Sequence, residues 1–120
     1  MKQKNHRAVG ERYEKLAGGF LERRGYRILE YHFRCRYAEI DIVAKEGEYL
    51  VFCEVKSRSN VGTLEALSAV DIRKQRRISQ AALYYLAQHG ITDQPCRFDV
   101  VGISGKEVTL CKNAFEFQGV

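Results

Sequence analysis

Apolar residues recur along the chain at two different spacings. Between Ala8 and Arg24, Val9, Tyr13, Leu16, Ala17, Phe20 and Leu21 follow helical spacing, and Gly25 stands where such a helix would stop. Three extended segments come next, at Tyr26–Phe33, Arg36–Lys45 and Tyr49–Ser57. The stretch "SNVGT" at Ser59–Thr63 reads as a loop. A second helical pattern covers Ala66–His89, with Ile78, Ala81, Ala82, Tyr85 and Leu86 as its apolar stripe and Gly90 at its end. Two last strands, Cys96–Ile103 and Val108–Lys112, flank the turn "SGKE". The order α-β-β-β-α-β-β predicts an α/β domain with a mixed central sheet flanked by helices. With 120 residues and no linker-like segment, the chain is expected to form one domain, residues 1–120.

One hairpin breaks the pattern. Glu39–Arg58 reads "EIDIVAKEGEYLVFCEVKSR", two apolar strands that nevertheless carry Asp41, Glu54 and Lys56. Side chains two apart share a face of a strand, so Glu54 and Lys56 point the same way. A two-residue turn at Glu46-Gly47 would set Asp41 opposite Phe52, with Glu54 its diagonal neighbour on the same face. A three-residue loop would separate the two carboxylates. Two carboxylates and a lysine on one face suit Mg²⁺ chemistry, in which the cation keeps several waters and contacts substrate phosphate. Such a cation polarises a phosphoryl group and acidifies a bound water, and the lysine orients or deprotonates that water. The bland alternative is an exposed hairpin face with one ion pair, worth roughly 0–1 kcal/mol.

Charge and cysteine content narrow the field. The net charge is +5, from 20 Lys and Arg against 15 Asp and Glu, which favours polyanionic partners. The run "RKQRR" at Arg73–Arg77 concentrates this charge. Lys74 continues the apolar stripe of its helix, four residues before Ile78, whereas Arg73 and Arg76 are expected to face outward. Arg34, Arg36 and Arg58 bracket the hairpin and, with Lys74 and Arg77, are the candidate phosphate contacts. Cys35, Cys53, Cys96 and Cys111 lie too far apart for a zinc site and are expected to be reduced, mostly core thiols. His6, His32 and His89 are scattered, and each is expected to be solvated or locally bonded. The N-terminus lacks a signal-peptide pattern and no segment reaches membrane-spanning length, so a cytoplasmic protein without a membrane partner is expected.

Asp41, followed a dozen residues later by Glu54-Val55-Lys56, resembles the PD-(D/E)XK motif of restriction-endonuclease-like nucleases. The blocks "GERYEKLA", "GYRIL", "EIDIVA", "LVFCEVKSR", "KQRRISQAALYYL", "RFDVV" and "NAF" extend the likeness from Gly10 to Phe115. In that order they are similar to the YraN-like (UPF0102) family of bacterial proteins, related to archaeal Holliday junction resolvases. The resemblance implies a restriction-endonuclease-like core and a metal-dependent endonuclease with Mg²⁺ or Mn²⁺ as cofactor. Its substrate would be nucleic acid, DNA first, read by structure rather than base sequence. Asp41 and Glu54 would be metal-binding carboxylates, the Val55 carbonyl a further ligand, Lys56 the catalytic lysine and Glu14 the acid of the first helix. Resolvase-like relatives act as dimers, so a homodimer is implied by analogy. Tyr37 and Ala38 stand where the family has glycines, and His32 where Asn is common. Glu39 is expected either behind the ligands or in solvent, and Asp99 is expected to pair with Arg97 or Arg58. The rival readings are a nucleic-acid-binding module without catalysis and an assembly subunit that docks a partner through its basic face.

Overall fold

A computed structural model of the chain describes residues 2–57, 70–105 and 107–119, with side chains from residue 10 onward. Its elements are α1 (Lys2–Arg23), β1 (Arg27–Arg34), β2 (Glu39–Glu46), β3 (Tyr49–Ser57), α2 (Ile72–Gln88), β4 (Cys96–Ser104) and β5 (Glu107–Phe115). This is the α-β-β-β-α-β-β order that the apolar patterning predicts. The strands form one sheet in the order β1-β2-β3-β4-β5. Among the described residues only the β3–β4 pair is parallel, and α2 lies in the connection between those two strands. A parallel pair needs such a crossover, because a tight turn can only reverse the chain.

Two cores sandwich the sheet. Ala17 and Leu21 of α1 pack with Ile42, Ala44, Val51, Cys53, Val101 and Ile103 on one face. Ile78, Ala81, Ala82 and Tyr85 of α2 pack with Val43, Phe52, Phe98 and Val100 on the other. Each fully buried Val, Leu, Ile or Phe among these contributes about 1.5–3 kcal/mol relative to exposure. Both helices close through glycine. Gly25, at φ +93°, lets the amides of Gly25 and Tyr26 reach the carbonyls of Glu22 and Leu21. Gly90, at φ +63°, does the same for Gly90 and Ile91 on Ala87 and Leu86. These paired bonds satisfy carbonyls that a helix end leaves open. Gly18 permits a close approach of a different kind, since a Cβ there would lie 2.0 Å from the Tyr31 hydroxyl.

Several expectations change. α1 starts at Lys2 rather than Ala8, because the polar residues before Ala8 include no helix breaker. The second helix starts at Ile72 rather than Ala66. Asp71 is extended, with ψ 172°, and its side chain accepts from the Lys74 amide at 2.9 Å, which caps the first turn. The loop at Ser59–Thr63, residues 66–69 and Arg58 lie outside the described residues. β2 starts at Glu39 rather than Arg36, and β5 runs on to Phe115. The cysteines are all free, but only Cys53 is a core residue; Cys96 is exposed, and Cys35 and Cys111 are half-buried. Asp99 pairs with Arg97, as expected, and also accepts from the Tyr26 hydroxyl at 2.7 Å and the Asn113 amide at 2.9 Å. Among the described residues, no helix is long and apolar enough to cross a membrane.

Candidate active site

The β2–β3 turn is Gly47-Glu48, not Glu46-Gly47, with Glu46 paired to Tyr49 and Gly47 at φ +58°. Gly47 takes the left-handed conformation that this tight turn requires. The shift of two positions keeps each side chain on its face but changes its partner. Ile42 pairs with Cys53, and the same register carried one step further sets Asp41 directly opposite Glu54. β1 adds to this row. Tyr31 pairs with Ile42 and Phe33 with Ile40, which leaves His32 across from Asp41. His32, Asp41 and Glu54 thus form a line across three strands.

The sheet turns over along that line. Ile40 and Phe33 pack in the α2-side core, whereas Ile42 packs, and Tyr31 leans, in the α1-side core. Strict alternation would put residues two apart on one face. Here the facing changes on either side of His32, which sits at φ +57°, and of Asp41. Such a twist is what a local irregularity in a strand pair produces. Its consequence is that groups from both helices reach the same carboxylates. Glu14 comes from α1, one turn before Ala17, and is buried. Lys74 comes from the first turn of α2, with Nζ 3.3 Å from Glu54 Oε1. Lys56 Nζ lies 4.0 Å from the same oxygen. Glu14, Asp41, Glu54, Lys56 and Lys74 are therefore brought together.

The carboxyls crowd one another. Burial raises the Glu54 pKa to about 8, with the Asp41 charge adding and Lys74 and Lys56 opposing. Burial likewise raises Asp41 to about 6, against the Val55 amide that donates to it at 2.8 Å. Glu14 is raised to about 7 by burial, against its hydrogen bond with Asp41 and with help from Glu39, Glu11 and Glu54. Glu14 Oε1 is buried and forms an ion pair with His32 Nε2, yet accepts no hydrogen bond of adequate geometry. Three acids that resist ionisation, one with an orphaned oxygen, are what a hard divalent cation would relieve. The donor set fits such an ion. Of the two lysines, Lys56 is the one whose ammonium is disfavoured, by burial first and then by Lys74 beside it.

A cleft of about 650 Å³ opens over the group, with Glu14, Asp41 and Glu54 in its lining. Lys74 and Arg77, the candidate phosphate contacts, line it, and so does Arg73, expected to face outward. Asp71, which caps the first turn of α2, itself contributes to the wall. Arg34 and Arg36 sit beyond the lining. Arg34 Nε lies 3.5 Å from Glu39, and Arg36 donates to the Tyr37 hydroxyl at 3.0 Å while lying over its ring. Tyr37 and Ala38 form part of the wall. Val55 engages Asp41 through its amide. Glu39 also lines the cleft and meets His32 Nδ1 at 2.6 Å, while its side chain stays exposed. His32 is not locally bonded, since both partners come from other elements. No local pattern in "YHFR" marks it. Asp71, in contrast, is legible as a helix-capping residue type.

The model of the uncharacterised protein family UPF0102 matches residues 13–103. The chain belongs to this family. A UPF0102 protein of Lachnoclostridium phytofermentans is 47% identical over 116 residues, covering 96% of this chain and 98% of the relative. One from Geobacter sulfurreducens is 44% identical, covering 93% of this chain and 91% of its own. A third, from Legionella pneumophila, is 39% identical over 89% of this chain and 93% of the relative. The UPF0102 match includes Glu14, His32, Asp41, Glu54, Lys56 and Lys74 in one continuous segment. The family description names no reaction.

Proposed function

We propose that the chain is a cytoplasmic, metal-dependent endonuclease that hydrolyses phosphodiester bonds, with DNA as substrate and Mg²⁺ or Mn²⁺ as cofactor. The observation that carries this reading is the convergence of Asp41 and Glu54 on a cleft walled by Arg73, Lys74 and Arg77, with Lys56, outside that lining, 4.0 Å from Glu54. Asp41 and Glu54 would hold the cation, with the Val55 carbonyl and Glu14 as further donors. When bound, the cation polarises the phosphoryl group and offsets charge as the phosphorus becomes five-coordinate.

The remaining chemistry belongs to the side chains. Lys56, disfavoured as an ammonium, can orient the attacking water and take up its proton at Nζ. Lys74 holds charge beside Glu54 and faces the phosphate path. Arg73 and Arg77 supply backbone contacts, which set position and affinity without reading bases. The cleft has no groove-reading helix among the described residues, so substrate shape is the expected basis of choice. A homodimer would suit a substrate that needs two symmetric cuts.

The test is cleavage of a labelled panel of linear duplex, single strand, flap and four-way junction with Mg²⁺ or Mn²⁺. Cutting by the wild type, lost in both Asp41→Ala and Lys56→Ala, is the expected result. Equal binding by all three proteins with no cutting by any would replace the enzyme with a binding module.

A further inference from the structure

His32 stands between two carboxylates. Its Nδ1 lies 2.6 Å from Glu39 Oε1, and its Nε2 forms the ion pair with Glu14 Oε1. A neutral imidazole carries one N–H, so it can donate to only one of these partners. The contact at the other nitrogen then takes either a proton, on the ring or on Glu14, or a cation. In the second case one nitrogen donates its N–H to one carboxylate while the other binds metal. That is the carboxylate–histidine–metal arrangement of many metalloproteins. The nearest ligand atoms of Glu14, His32 and Glu39 all lie within 4.8 Å of one another. Glu14 is only 9% exposed, and the contact of its buried Oε1 with His32 Nε2 lacks hydrogen-bond geometry.

We propose that His32 Nε2 and Glu14 Oε1 ligate a second divalent cation, a transition metal such as Mn²⁺ or Zn²⁺, with Glu39 orienting the imidazole through Nδ1–H. The nitrogen ligand sets this site apart from the all-oxygen set at Asp41 and Glu54, because imidazole suits transition metals and Mg²⁺ prefers oxygen. Glu14 hydrogen-bonds with Asp41 on its other side, so its carboxylate lies between the two sites. His32 is also held rigidly: its left-handed backbone sits in the row with Asp41, where the strands cross over. Glu39 is held in turn by Arg34 at 3.5 Å. His89 offers no competing nitrogen of this kind. Its ring is stacked on Tyr85 and its Nδ1 is engaged with the Tyr85 carbonyl. The site does not depend on the hydrolytic reading, since a protein that never cuts DNA would still bind metal there.

The test uses the full chain without nucleic acid. Mn²⁺ is added and nitrogen coupling is read by pulsed electron paramagnetic resonance, and Zn²⁺ affinity is measured by competition with a chromophoric chelator. The expected result is an imidazole nitrogen signal that His32→Asn abolishes and that His6→Gln and His89→Gln leave intact. Asn tolerates the left-handed backbone, so this variant keeps the strand geometry. Glu39→Gln, on an exposed side chain, should weaken Zn²⁺ about 10–100-fold, the usual effect of losing a ligand's orienting partner. Asp41→Asn should keep the nitrogen signal while losing Mg²⁺ binding. Absence of nitrogen coupling in the wild type, its survival in His32→Asn, or unchanged Zn²⁺ affinity in Glu39→Gln would each overturn the proposal. Loss of the nitrogen signal in Asp41→Asn would reduce the two sites to one and overturn it equally. A failure to cleave DNA moves none of these readouts.

Discussion

The amide of Val55 donates to the carboxylate of Asp41 at 2.8 Å, so the strand that carries Glu54 and Lys56 also clamps the acid facing them. The bond uses a side-chain oxygen where the β2–β3 ladder ends, and it keeps Asp41 beside Glu54 despite their repulsion. A cation is the natural relief for that pair. Asp41→Asn keeps an acceptor for Val55 but removes the charge. Its metal-free melting temperature near pH 8 should equal or exceed that of the wild type, while stabilisation by Mg²⁺ disappears. Wild type should gain about 2.7 kcal/mol at roughly a hundred times Kd. Differential scanning calorimetry with and without Mg²⁺ measures both, and an unchanged Mg²⁺ effect in the variant would remove Asp41 from the ligand set.

The pH dependence follows from the same crowding. Glu14, Asp41 and Glu54 hold protons in the folded state at pH values where the unfolded chain has released them, since all three are raised from about 4 to between about 6 and 8. Folding then takes up protons, and stability falls as pH rises through that window. Glu46 works in the opposite sense, held low by Lys112 and Arg97, but its contribution is lost only as pH falls below the ordinary carboxylate range. Urea midpoints of the metal-free protein should therefore decline from about pH 5 to pH 8, and Mg²⁺ should flatten the decline. Midpoints that rise across this range would contradict the assignment.

The two lysines should separate by kind of effect. Lys56 is the less exposed, with 18% of its side chain accessible against 39% for Lys74. Lys56→Met should lower the single-turnover cleavage rate by about 10²–10⁴, the usual range for a general acid or base, with little change in DNA affinity. Lys74→Met should weaken DNA binding and lower its salt slope by about one, as expected for one lost phosphate contact. Filter binding at several salt concentrations, beside single-turnover kinetics, distinguishes them. Identical profiles for the two variants would mean that they act as one charge cluster.

Away from the cleft, Asp99 anchors a buried network through Tyr26, Arg97 and the Asn113 amide, and Arg97 continues it to Glu46 at 2.7 Å. Asp99→Ala leaves Arg97 with Glu46 alone, removes the acceptor of the Tyr26 hydroxyl and the Asn113 amide, and should cost about 3–5 kcal/mol, as breaking a buried pair usually does. Urea denaturation measures the loss. Mg²⁺ binding by the folded fraction should be unchanged, because none of these groups touches the cleft; a weakened Mg²⁺ affinity would mean that the network positions the site.

Local physics was enough for the order of elements, the helix stops at Gly25 and Gly90, and the Asp41, Glu54 and Lys56 positions, because apolar period and turn chemistry act over a few residues. The capped start of α2 was missed, because the apolar run before it reads as helix, although Asp71 is a capping residue type. Pairing was not legible in the same way. Gly47-Glu48 and Glu46-Gly47 are both acceptable turns by composition, and both keep Ile42 and Cys53 on the α1-side face, so apolar facing does not choose between them; the structure sets Gly47 first in the turn, at φ +58°. That choice moves Asp41 from diagonal to opposite Glu54. The reach of Glu14 and Lys74 to one carboxylate cluster, and the place of His32 in the row, depend on the sheet turning over between Ile40 and Ile42. A twist of that kind is a compromise between two cores on opposite faces. It involves residues far apart along the chain, and no window of sequence contains it.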